Sequence, residues 1–255
     1  MQDEIRHALR ELEQTYDCRI LFAAESGSRA WGFASPDSDY DIRAIYVKPL
    51  DWYLAFEENQ KDTIEVMLPN NLDISAWELR KTLRQIAKSN LSLFEWFGSP
   101  ILYESVPCFM PEILPLIPEF FNSVKAVHHY LSLHDKSMAD LDELGQIGIK
   151  KLFYALRGFF AAIWCFDRET MPPTQFDCLL LPELFPSEIL EMIDVLKRQK
   201  ETAAEKQRIA MPPMLLQFFQ DQRNTLENRL KTMTKQKGDS SALNRILRQF
   251  ILADV

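Results

Sequence analysis

Two short groups of residues in this 255-residue chain have the types and spacing to work on a phosphate: Gly27-Ser28-Arg29 and, a little further on, Ser38-Asp39-Tyr40-Asp41. The first follows a short apolar run, Arg19 to Ala24, that reads as a strand and breaks at Glu25-Ser26-Gly27-Ser28 before a small helical segment around Arg29 to Gly32. Gly27 lets the backbone come close to an anion, Ser28 adds a hydroxyl, and the free N–H groups of a helix start point at it. Arg29 is placed to add a forked contact to phosphate. The second group opens Asp39 to Val47, rich in β-branched and aromatic residues and readable as a strand. Residues two apart on a strand share a face about 7 Å apart, so Asp39 and Asp41 should point the same way. Paired carboxylates repel, and a Mg²⁺ ion relieves that repulsion while ligating substrate phosphates. A Gly-Ser turn alone is an ordinary turn, and Asp-x-Asp alone is an ordinary solvated strand end. Their conjunction points to phosphoryl-type chemistry.

Gly27-Ser28 with Asp39 and Asp41 resembles the signature of the DNA polymerase β nucleotidyltransferase superfamily. The fuller string from Gly27 to Arg43 is more similar to one branch, the RlaP-type predicted nucleotidyltransferases associated with RNA repair. Further similarity lies in 73–81, 88–96 with Ser99-Pro100, and 150–157. Ala76 and Leu91 depart from the Gly and Pro that relatives tend to carry there. The resemblance implies that Gly27 and Ser28 hold a nucleoside triphosphate (NTP), and that Asp39 and Asp41 bind two Mg²⁺ (or Mn²⁺) ions. A third acid from a neighbouring strand would complete the catalytic set. Glu65 and Asp73 are the candidates, and Asp73 is favoured because it lies in an apolar strand that runs into a helix and matches the family's acidic position. The expected site is therefore Asp39, Asp41 and Asp73 as catalytic metal ligands, with Gly27, Ser28, Arg29, Lys81, Lys151 and Tyr154 on the nucleotide. The implied reaction moves a nucleoside monophosphate from an NTP to a hydroxyl, with an RNA terminus as the favoured acceptor. The alternatives are a small molecule or protein acceptor, or a noncatalytic nucleotide-sensing module.

These residues need elements to position them. Glu4 to Tyr16 carries Ile5, Ala8, Leu9 and Leu12 at helical spacing. Asp62 to Leu68 and Leu72 to Ile74, joined by Pro69-Asn70-Asn71, predict a hairpin. From Ala76 to Ser89, Leu79, Leu83, Ile86 and Ala87 predict a helix whose other face carries Arg80, Arg84 and Lys88, a ladder able to steer a triphosphate or RNA end. Prolines 107, 111, 115 and 118 mark a transition, after which helices are predicted near 124–141, 145–166, 187–200, 214–230 and 241–252. The expectation is an α/β (α+β) nucleotidyltransferase domain with a small mixed sheet over 1–105, then an all-helical C-terminal domain over 106–255. Lys150, Tyr154 and Arg157 share a helical face in the latter, and Arg229, Lys231, Lys235 and Lys237 form a basic tail patch.

A net charge of −8 argues against a protein that coats nucleic acid nonspecifically, leaving room for a localised basic groove. Cys18, Cys108, Cys165 and Cys178 lack zinc or disulfide spacing and read as buried thiols. His128, His129 and His134 have poor ligand spacing and read as packing or surface residues. No leader or membrane-spanning run is evident, so a cytoplasmic location is expected.

Overall fold

The computed structural model describes the chain apart from residues 36–37, 57–60, 203–206, 231–237 and 254–255, and apart from the side chains of 201, 202, 228 and 229. It is a mixed α/β structure whose contacts divide it into two compact units interleaved along the chain. The first unit begins with α1 (Gln2–Tyr16), β1 (Arg19–Glu25), α2 (Gly27–Trp31), β2 (Tyr40–Val47), α3 (Leu50–Leu54), β3 (Thr63–Leu68) and β4 (Leu72–Glu78). It continues through α4 (Leu79–Ala87), α5 (Leu91–Phe97), β5 (Leu102–Ser105), α6 (Phe109–Ile113) and α7 (Leu116–Phe120). The second unit holds α8 (Ser123–Met138), β6 (Gln146–Gly148), α9 (Ile149–Arg168), α10 (Ser187–Thr202), β7 (Arg208–Ala210) and α11 (Pro213–Leu230). The last helix, α12 (Ser240–Leu252), belongs to the first unit.

The five-stranded sheet runs in the order β3-β4-β2-β1-β5. Only β2 and β4 are parallel, and β3 returns antiparallel to β4 as the expected hairpin. Asn70 and Asn71 take left-handed conformations at its tip (φ 64 and 58), which Asn tolerates better than other non-glycine residues. One face of the sheet packs Ile42, Ala44, Ile74 and Ala76 against Ile5, Ala8, Leu9 and Leu12, the predicted apolar stripe of α1. On β1, Phe22 packs at a tilt against Phe97 and Phe109, and Phe109 meets Phe250 of α12 edge-on.

By contacts, α12 at the end of the chain groups with the first unit. α12 is amphipathic, with Leu243, Ile246 and Phe250 buried, and it lays that stripe against α4 and Phe109. The fifth strand, β5, was hidden from the sequence because it is a four-residue edge with Leu102 exposed. The predicted helix from Ala76 starts at Leu79 instead, since β4 continues to Glu78, whose carboxylate caps the helix by accepting from the Lys81 N–H at 3.0 Å.

Among the described residues, the regular structure of the second unit is helical except for the short β6-β7 ladder. Arg208 binds that ladder into place through Asp140 and Asp142, both at 3.1 Å. α8 and α9 cross closely at Gly158, where a Cβ would lie 2.9 Å from the backbone of Tyr130 and of His134. His134 is buried, tilted against Phe159 and edge-on to Phe219, with Nδ1 3.0 Å from the Ala155 carbonyl. Its expected packing role is what the structure has. The cysteines are free, but Cys108 and Cys178 are exposed rather than buried; they lie outside the apolar stripes that set burial. No helix among the described residues is long and apolar enough to cross a membrane.

Two outcomes test this frame. Phe109→Ala should cost about 3–5 kcal/mol in denaturant unfolding, because the ring is fully buried among three others. Burial holds the His134 pKa below its ordinary 6.5, so stability is full above 6.5 and is lost as pH falls from there through the lower folded-state value. Thermal melts between pH 7.5 and 5 should show that loss, and His134→Gln should flatten it.

Candidate active site

Register between β2 and β4 builds the site. Asp41 pairs with Asp73 across the parallel ladder, so two carboxylates on adjacent strands stand side by side near the start of both. Strand parity puts Asp41 and Arg43 on the face of β2 opposite the α1 core, and Asp73, Ser75 and Trp77 on the same face of β4. Arg43 then closes the pair. Its Nη2 lies 3.0 Å from Asp41 Oδ1 and its Nη1 lies 2.9 Å from Asp73 Oδ2. All three side chains are partly shielded, with 20% to 30% of each exposed.

Gly27 is packed against this pair. It opens α2 with φ 61, and a Cβ added there would fall 2.3 Å from Asp41 Oδ2. Only glycine fits both the backbone conformation and the contact. Glu25, the buried last residue of β1, supports the strand from beneath: its carboxylate accepts from the Asp41 N–H at 2.8 Å and from the Tyr103 hydroxyl. Burial pushes the Glu25 carboxyl above the usual carboxylate range, and the hydrogen bonds from Tyr103 and Asp41 oppose that rise. The Asp41 carbonyl in turn accepts from the Ser26 N–H at 2.8 Å, fixing the turn that carries Gly27 and Ser28.

The other expected residues fall in several places. Ser28 is buried beside Gly27 at the start of α2. Asp39 is exposed one residue before β2 and takes no part in the Arg43 bridge. Among the described residues no group of three His, Cys, Asp or Glu side chains stands ready to hold a metal. The Arg29 guanidinium donates to the carbonyls of Ser38 at 2.6 Å and Asp39 at 3.0 Å and covers the Tyr40 ring. It buttresses the loop that delivers Asp39. Glu65, the rival third acid, lies opposite Ser75 on the edge strand, so it is both a strand further out and out of register with Asp41.

Lys81 is tied to Asp62 at 3.2 Å and to the Thr63 hydroxyl, lining an open cleft with Trp77, Lys61 and Glu65. Arg80 lies over Tyr53, and Arg80 and Arg84 border a groove with Leu243 and Leu247 of α12. Lys151 and Tyr154 belong to the second unit. Lys151 is exposed on α9, and Tyr154 packs edge-on against Phe33. Arg157, expected on an accessible face with Tyr154, is instead buried and donates to the Thr174 carbonyl at 3.3 Å. α9 buries most of its circumference, so helical spacing could not reveal which side was wet. The basic tail patch, Arg229 to Lys237, lies outside the described residues and side chains.

Arg43 and Glu25 were not singled out in the sequence. Parity gave a signal for Arg43, which is two residues from Asp41 and so on its face. Glu25 gave none, because an acid ending an apolar strand reads as a solvated terminus. Phe33 and Ser35 were also missed. This stretch joins α2 to β2 in the chain but packs in the second unit, where Phe33 meets Phe153, Tyr154 and Phe176 and Lys200 donates to the Phe33 carbonyl at 2.6 Å.

The family model for the RNA repair pathway DNA polymerase beta family, RlaP, matches residues 1–249. The uncharacterized protein YcgL of Bacillus subtilis (strain 168) is 36% identical over 248 residues, spanning 97% of this chain and 95% of its own length. The tight fit at Gly27 gives a direct check: Gly27→Ala should destabilise the first unit by about 1–3 kcal/mol in urea unfolding, since the added methyl must displace Asp41 and the backbone must hold an unfavourable φ.

Proposed function

The chain belongs to the RNA repair pathway DNA polymerase beta family, RlaP, a nucleotidyltransferase family, and on that premise we propose that it transfers a nucleoside monophosphate from an NTP to a hydroxyl, releasing pyrophosphate. The observation that carries the reading is the in-register pairing of Asp41 with Asp73 beside the Gly27 turn. The proposed acceptor is an RNA terminus, in keeping with the family's RNA-repair name.

A divalent cation suits this donor set. Asp41 and Asp73 offer only oxygen ligands, which match Mg²⁺ or Mn²⁺, and a cationic group already lies between them in the Arg43 guanidinium. Asp41 and Asp73 would hold the ion, with Asp39 joining from its exposed position before β2. When bound, it would neutralise charge on the phosphoryl oxygens and lower the pKa of the attacking hydroxyl. Gly27 and Ser28 would hold the triphosphate, and Arg29 would keep Asp39 in reach by bracing the loop. The acceptor oxygen would bond to the α-phosphorus as the α–β bridging P–O bond breaks. Pyrophosphate would leave with that electron pair and the hydroxyl proton would pass to solvent. The protein's share is alignment and charge placement, with no covalent intermediate.

The test is incubation with each labelled NTP, Mg²⁺ or Mn²⁺ and a pool of RNA, read as pyrophosphate release and labelled RNA. Asp41→Ala and Asp73→Asn should each lower turnover by at least about 100-fold. Turnover that persists in Asp41→Ala would sink the assignment. Labelled protein or small molecules in place of labelled RNA would move the acceptor, and NTP binding without any turnover would favour a sensing module.

A further inference from the structure

We propose that Arg43 is an internal counter-ion for the Asp41–Asp73 pair, holding the two carboxylates in register before a divalent cation enters and competing with that cation for them. The inference rests on the metal reading above and concerns what the site does before metal arrives.

Four observations lead there. Backbone register holds the two residues opposite each other, so their backbones cannot separate to relieve the repulsion without breaking the parallel ladder. The Arg43 guanidinium divides its fork between them at 3.0 and 2.9 Å, one nitrogen to each carboxylate, and Nη1 also donates to the Ile42 carbonyl at 3.1 Å. Its register neighbours on either side, Ala24 of β1 and Ser75 of β4, are small, which leaves the long side chain room to fold back along its own strand. The three side chains are at most 30% exposed, so solvent screens the ion pairs less than it would on the open surface.

One consequence follows for ligand order. A divalent cation alone must displace the guanidinium and leave Arg43 without its two carboxylate partners. A metal–triphosphate complex supplies phosphate oxygens with which the released guanidinium can make forked, charge-assisted contacts. Metal and nucleotide should therefore bind with positive coupling, each strengthening the other by the same factor.

Mn²⁺ binding measured by electron paramagnetic resonance or calorimetry, without turnover, tests this. Without nucleotide, Arg43→Gln should bind Mn²⁺ about tenfold tighter than the wild type, because a competing charge has gone. Arg43→Lys should stay near wild type, and ATP should enhance Mn²⁺ binding less in Arg43→Gln than in the wild type. Equal or weaker Mn²⁺ binding by Arg43→Gln, or no binding by either form at millimolar Mn²⁺, overturns the proposal. If Asp73→Asn leaves the binding by Arg43→Gln unchanged, the metal assignment itself has failed. A second readout needs no metal. In EDTA, Arg43→Gln should melt below wild type, and adding Asp73→Asn should restore part of the lost Tm by removing the repulsion; simple additivity of the two losses overturns the counter-ion role.

Discussion

The parallel pairing of β2 with β4 is the constraint on which the rest of the structure depends. In an otherwise antiparallel sheet, this one ladder sets Asp41 against Asp73. A slip of one residue would turn Asp73 into the apolar core and Ile74 onto the open face. The α1 core resists such a slip, because Ile42, Ala44, Ile74 and Ala76 all have to face Ile5, Ala8, Leu9 and Leu12. Hydrophobic packing on one side of the sheet thereby fixes the placement of charge on the other.

Two smaller devices hold the acids once register is set. Gly27 lets the turn after β1 come against Asp41, and buried Glu25 grips the Asp41 N–H. Burying a carboxylate beside another acid is unfavourable, and the raised Glu25 pKa is the mark of that cost. Tyr103 of the edge strand β5 offsets part of it by donating its hydroxyl proton. Arg43 supplies positive charge between the pair. The half-buried Asp41–Asp73 pair thus shares a guanidinium, and the buried Glu25 beneath it accepts from a backbone N–H and a hydroxyl.

Much of the first unit was legible from local pattern. The α1 stripe, the strands around the Gly-Ser turn, and the hairpin at Pro69-Asn70-Asn71 depend on neighbours a few residues apart, and all are present. Placement became illegible where it rests on distant contacts. β5 is short and half-exposed, so it joins the sheet only because β1 offers an edge. α12 carries an ordinary amphipathic stripe that says nothing about which surface it will cover. Arg29 and Arg157 show the same limit for cations. Sequence offered both as cations near a phosphate; it gave no sign that Arg29 would hold the carbonyls of its own loop or that Arg157 would be buried against Thr174.

The sequence by itself determined the chemistry on offer: a glycine-serine turn at a strand end, acids spaced for a strand, and a third acid entering a helix, because residue type and short-range periodicity are local properties. Only the tertiary structure decided that Asp73 rather than Glu65 stands beside Asp41, that Asp39 stays outside that pair, and that Arg43 spans it. Those outcomes depend on strand order and register, which are fixed by how the whole apolar face packs. The type of a residue is written in the chain, and its partner is settled when the core closes.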